Sequence, residues 1–156
     1  MQFVIYFVVS LLSYLGLAAG IALVKIAPEE QKPLEKLAKT LSRILLFLIF
    51  GFILFFYFND LFSFLVLLAY FAFLVFANHK VKDSLKLSML NYAVIGVLLP
   101  LSAKNVNLFA IESSLIFLFG TLNGCNLYDK KGKNYFKIIF YNLGFLILAT
   151  AVYFFV

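Results

Sequence analysis

The side chains of this chain that could do chemistry are few, and most lie in one apolar stretch. Between Leu108 and Leu127 fall Glu112, Ser113, Ser114, Thr121, Asn123 and Cys125. Glu112 is the one charged residue set inside an apolar run rather than at its edge. A charge at the centre of a membrane helix costs at least ~2.5 kcal/mol on insertion scales, so a carboxylate there needs a reason. One reason is chemical: a carboxylate facing a cavity can bind a cation or a proton. The competing reading is a shallow glutamate that reaches the membrane interface or hydrogen-bonds a neighbour.

At helical spacing Glu112, Ser113, Gly120, Asn123 and Gly124 share one broad face. Gly120 and Gly124 form G-x-x-x-G, and Gly16 and Gly20 form a second such pair, extended by Ser13. These pairs let helices approach closely. They predict tight packing within one bundle, with homodimerisation as the sharper alternative. Asn91 and Asn142 add buried amides on two other runs, and buried amides need partners in lipid. The economical arrangement turns Asn91, Glu112, Asn123 and Asn142 toward a shared interior. Asn123 lies more than two turns from Glu112, so a polar track is expected rather than one compact site.

Signatures of catalysis are missing from the sequence. His79 is the single histidine, and it sits beside Lys80 in a basic stretch, so no histidine pair can hold a metal. Cys125, the single cysteine, forbids an intramolecular disulfide and reads as a small packing residue. No G-x-S-x-G, H-E-x-x-H or Walker A pattern occurs. Asp60, Asp83 and Asp129 fall in different connectors, which leaves no pair of intramembrane carboxylates. Asp129-Lys130-Lys131-Gly132-Lys133 could grip a phosphate, although a solvated orienting loop explains it more simply. No catalytic residue, no metal and no cofactor is therefore assigned.

These residues must be positioned by elements that live in lipid. Of 156 residues 65% are hydrophobic and 13% charged, and the mean hydropathy is +1.05. Such a composition excludes soluble domains, disordered tails and disulfide scaffolds. Crossing ~30 Å of hydrocarbon takes roughly 20 apolar residues. Six runs qualify or nearly do: about 3–24, 44–58, 61–77, 85–103, 108–127 and 135–156. The first run is long and lacks a basic leader, which favours a retained helix over a cleaved signal. The stretch from residue 44 to 77 is too long for one crossing, so Asn59-Asp60 should turn a helical hairpin, one of the two capping the third span. Before the second span, Leu34, Leu37, Ala38 and Leu41 oppose a Glu35–Lys39 pair, and Pro33 suits a first turn. That segment predicts a short amphipathic helix at the cytoplasmic surface. Tyr57, Tyr92, Tyr128, Tyr135 and Tyr153 suggest an interfacial aromatic belt.

The fold class expected is thus all-α: one integral membrane domain over residues 1–156, a bundle of six transmembrane helices. Twelve of the 13 basic residues fall in three connectors (25–43, 78–86 and 127–137), and Lys104 is the exception. The positive-inside rule places those connectors in the cytoplasm and both termini outside a cell membrane. The basic connectors should attract anionic lipid headgroups; nucleic acid is not indicated, because no aromatic-interleaved basic groove is present. The polar face of the fifth span favours a small solute or ion transporter, or a channel-like protein. The alternative is a non-catalytic membrane subunit packing against a larger membrane partner or a second copy.

Overall fold

The computed structural model describes residues 2–29, 31–58, 60–81, 83–128 and 135–155, with side chains for all of these except Gln31, Lys32, Leu34, Phe62, Ser63, Asn78 and His79. The chain is helical, and no strand occurs among the described residues. In order the elements are α1 (Phe3–Ile26), α2 (Gln31–Phe56), α3 (Leu61–Lys80), α4 (Ser84–Ser102), α5 (Val106–Leu127), α6 (Tyr135–Asn142) and α7 (Gly144–Tyr153). Helix is what an apolar chain must adopt where no water can satisfy backbone N–H and C=O groups. Five helical stretches are long and apolar enough to cross a membrane, and α3 contributes a shorter apolar stretch, Phe64–Ala77. The chain is a multi-pass membrane protein.

Local signals set the helix starts. Asn105 Oδ1 accepts from the N–H groups of Asn107 (3.0 Å) and Leu108 (3.2 Å), which caps α5. Asp83 caps α4 through Leu85 N–H at 3.0 Å. Asp60 holds the cap position of α3 with no side-chain capping bond; its carbonyl accepts from Phe64 N–H at 2.9 Å. The expected cap by Asn59 and the loop Asp129–Lys133 lie outside the described residues, and so does the side chain of His79, on the last turn of α3.

Two elements depart from the sequence expectation. The amphipathic segment is not a separate surface helix but the first half of α2, because neither glycine nor proline interrupts the chain between Pro33 and Gly51. Its Glu35–Lys39 pair, at 2.5 Å, is solvent-exposed and worth only a few tenths of a kcal/mol. The sixth span is broken at Leu143. There Leu143 N–H reaches Phe140 O (3.2 Å), three residues back, and helical bonding resumes with Ile147 N–H to Leu143 O.

Ring contacts fix which ends lie together. Phe3 meets Phe154 (5.1 Å between centroids) and Tyr6 meets Phe109 (5.4 Å), so the two chain ends and the start of α5 share one end of the bundle. The Tyr57 hydroxyl donates to Leu101 O at 3.0 Å, which brings the α2–α3 and α4–α5 turns to that same end. At the opposite end Lys25 lies over the rings of Tyr135 (3.9 Å) and Tyr128 (6.0 Å). The C-terminal ends of α1, α3 and α5 therefore lie away from the termini. Large apolar side chains such as Phe55, Ile26, Phe73 and Phe140 cover the exterior, as a lipid-facing surface requires.

Candidate functional site

Glycine decides how α5 is held. An added Cβ at Gly16 would sit 2.2 Å from Phe117 O, and one at Gly20 would sit 2.0 Å from Thr121 O. From the other side, a Cβ on Gly124 would meet Leu17 O at 2.4 Å and one on Gly120 would meet Leu17 N at 2.9 Å. The two G-x-x-x-G faces are thus spent on each other inside one chain, with α1 and α5 parallel and backbone against backbone. The Cys125 thiol donates to Gly20 O at 3.3 Å across the same seam. Gly96, which the sequence did not single out, does the same service for α4: its Cβ would lie 2.6 Å from Phe145 O of α7.

This seam places Glu112, on the second turn of α5, in the interior. Glu112 is 0% exposed, and neither carboxylate oxygen has a hydrogen-bond partner among the described residues. The side chain lies inside the bundle, where α1, α2 and α4 all pack against α5. One turn away on either side, Phe109 and Ile116 are buried and apolar. Ser113, 8% exposed, spends its proton on Ala110 O at 3.0 Å, and Ser10 spends its own on Tyr6 O at 2.8 Å. Among the described residues no group of three His, Cys, Asp or Glu could hold a metal ion.

The expected shared interior of four polar residues separates into two zones. Asn123 and Asn142 are joined through Ser88: Asn123 Nδ2 donates to Ser88 Oγ (2.7 Å), and Ser88 Oγ donates to Asn142 Oδ1 (2.8 Å). Asn142 Nδ2 closes the chain on Ile138 O at 2.7 Å. This network ties α4, α5 and α6 at the break in the sixth span. Asn91, also buried, lies on α4 one turn from Ser88. Glu112 is eleven residues from Asn123, about 16 Å along the helix. The carboxylate therefore belongs to the half of the bundle near the chain ends, and the amides to the other half.

Tyrosines were the residues least legible beforehand. Tyr92, expected in an interfacial belt, is 0% exposed and packs between Phe119 and Phe145 (centroids 5.6 and 5.9 Å). It sits eight residues into α4, too deep to reach either surface. Its hydroxyl has no partner, and lies 2.9 Å from where a Gly120 Cβ would stand. Tyr6, also 0% exposed, donates to Ala149 O at 3.0 Å. Tyr14 donates to Ile139 O, the carbonyl that Leu143 N–H forgoes at the helix break. The signal that could have found these was in α1: Tyr6, Ser10, Ser13, Tyr14, Leu17 and Ile21 recur at helical spacing and line one buried face.

In this arrangement the amides and Ser88 link α4, α5 and α6, whereas the Glu112 carboxylate has no hydrogen-bond partner among the described residues. The chain matches no protein-family model, no curated protein and no solved structure, so this side-chain geometry carries the functional assignment.

Proposed function

We propose that this chain is a small transporter or channel-like protein that passes a positively charged species, or a solute coupled to one, and that Glu112 is its binding group. The observation that carries this reading is the fully buried carboxylate with two unpartnered oxygens. A structural carboxylate in an apolar interior would be paired, because burying it bare costs several kcal/mol. One left bare is a seat for a ligand that supplies the missing charge. On this reading the protein sits in the cell membrane with both termini outside. Its basic connectors face the cytoplasm and hold anionic lipid headgroups.

A second reading is favoured by the inner hydrogen-bond network and by the backbone-to-backbone glycine seam. Both are features of a rigid, non-catalytic subunit that stabilises a larger membrane partner. Flux separates the two. Purified protein in liposomes should dissipate an imposed cation or proton gradient, and Glu112→Gln should reduce that flux at least tenfold at equal protein incorporation. Equal flux in both proteins removes the carboxylate from the pathway. No flux above protein-free liposomes favours the subunit.

A further inference from the structure

We infer that the species held by Glu112 is a proton rather than a metal cation or an organic amine; this rests on the transport reading above. Coordination number comes first. Calcium takes six to eight oxygens and magnesium a near-ideal octahedron, which it completes with several waters. The two oxygens of Glu112 have no hydrogen-bond partner among the described residues. Hydroxyls near this level of the bundle (Ser10, Ser13 and Ser113) each sit on a carbonyl of their own helix. The main-chain carbonyls of α1 and α5 belong to continuous helical ladders. A metal ion would find one carboxylate and no shell.

Space comes second. An ammonium or a larger organic cation needs a chamber beside the carboxylate. Glu112 is 0% exposed. The open groove between α1 and α5, about 420 Å³, is lined by Ser13, Ser113, Ser114 and four apolar residues, and Glu112 is not among them. A proton requires neither shell nor chamber. It binds one oxygen and removes the charge outright.

The surroundings leave the titration to this group. From α1 the buried titratable side chains are Tyr6 and Tyr14, and from α4 Tyr92; Tyr153 of α7 stacks on Tyr6 at 4.3 Å. From Ile44 to Phe56, α2 contributes no titratable side chain. The nearest charge along the sequence is Lys104, on the exposed turn before α5. Glu112 lies six residues past Val106, about 9 Å from the start of its helix, so exchange with water runs by the end of the bundle that carries the termini. The step is simple: the carboxylate takes one proton from hydronium, leaving water, and returns it to water on release. No other bond changes.

Infrared difference spectroscopy of the whole protein in lipid bilayers tests this without measuring transport. Among the acid bands of the chain's four glutamates, titration should raise one at the high frequency of a carboxylic acid without hydrogen-bond partners, shifted by ¹³C-glutamate labelling and missing in Glu112→Gln. Glu112→Asp should keep such a band, insensitive to the glutamate label. At fixed pH, added sodium, potassium, magnesium or calcium chloride should leave the wild-type band unchanged. Loss of the band on adding any one of these cations would overturn the proton assignment while leaving a cation-transport reading intact. Wild-type and Glu112→Gln spectra that match at every pH where the fold persists would overturn it too. A titrating band with flux indifferent to Glu112→Gln would uphold the proton seat and refute the transport reading.

Discussion

Replacing Gly20 by alanine probes the contact on which the position of α5 depends. The new Cβ would lie 2.0 Å from the Thr121 carbonyl oxygen and 2.8 Å from its carbon. Ordinary van der Waals contact begins near 3.4 Å, so α1 and α5 must part locally by about 1.4 Å. Because backbone meets backbone here, no rotamer change relieves the clash. Parting also stretches the Cys125–Gly20 hydrogen bond, now 3.3 Å, and loosens Leu17 and Ile21 in the core. Overpacking of this kind costs typically 1–3 kcal/mol, and the rigid obstacle places Gly20→Ala at about 2–3 kcal/mol or above. Gly51 and Gly144 are the internal controls, since a Cβ at either meets nothing within 4 Å. There alanine should be neutral or gain up to ~1 kcal/mol from helix propensity. Reversible unfolding in mixed micelles, driven by a rising mole fraction of sodium dodecyl sulfate, measures all three. Equal stabilities for Gly20→Ala and Gly51→Ala would refute a backbone-to-backbone seam between α1 and α5.

Three further outcomes follow from the same geometry. Tyr14→Phe leaves the Ile139 carbonyl without its donor at the break in the sixth span and should cost about 1–2 kcal/mol in the same unfolding assay; no measurable cost would mean the break closes by itself. Ser88→Ala removes the link between Asn123 and Asn142 and should cost about 1–3 kcal/mol, with faster amide hydrogen exchange near Leu143. In a Cys125→Ser background, Lys104→Cys should react with an impermeant thiol reagent from outside intact cells and Lys86→Cys only after permeabilisation. Labelling of both from one side would contradict an odd number of crossings between them.

What the sequence reveals and what it hides divide along physical lines. Apolar length and the clustering of lysines are one-dimensional, so an all-helical chain of several long apolar helices was legible. Glycine pairs were legible as sites of close approach, but which faces meet is a property of three dimensions. In sequence, Gly16 and Gly20 suit a second copy as well as a helix of the same chain; they meet Phe117 and Thr121. Gly96 has no glycine partner four residues away, and so carried no motif. The tyrosines misled because an amphipathic ring suits both an interface and a core with a carbonyl to receive its hydroxyl. Only the helix break at Leu143, itself invisible in an unbroken apolar run, creates the free carbonyl that Tyr14 takes. Glu112 was legible as an anomaly, but its isolation from Asn91, Asn123 and Asn142 was not. Rise per residue gives the depth of a side chain, not the identity of the groups facing it.

On the proposed reading Glu112 is kept for function at a cost to stability. Glu112→Met keeps an unbranched side chain of similar length and has no polar oxygens. Unfolding midpoint and liposome flux should be measured side by side on this variant and the wild type. The account predicts a protein more stable by about 1–3 kcal/mol, because an unsatisfied buried group is gone, and flux at the level of empty liposomes. A variant that is less stable, or one that still carries its cation or proton at the wild-type rate, would contradict it.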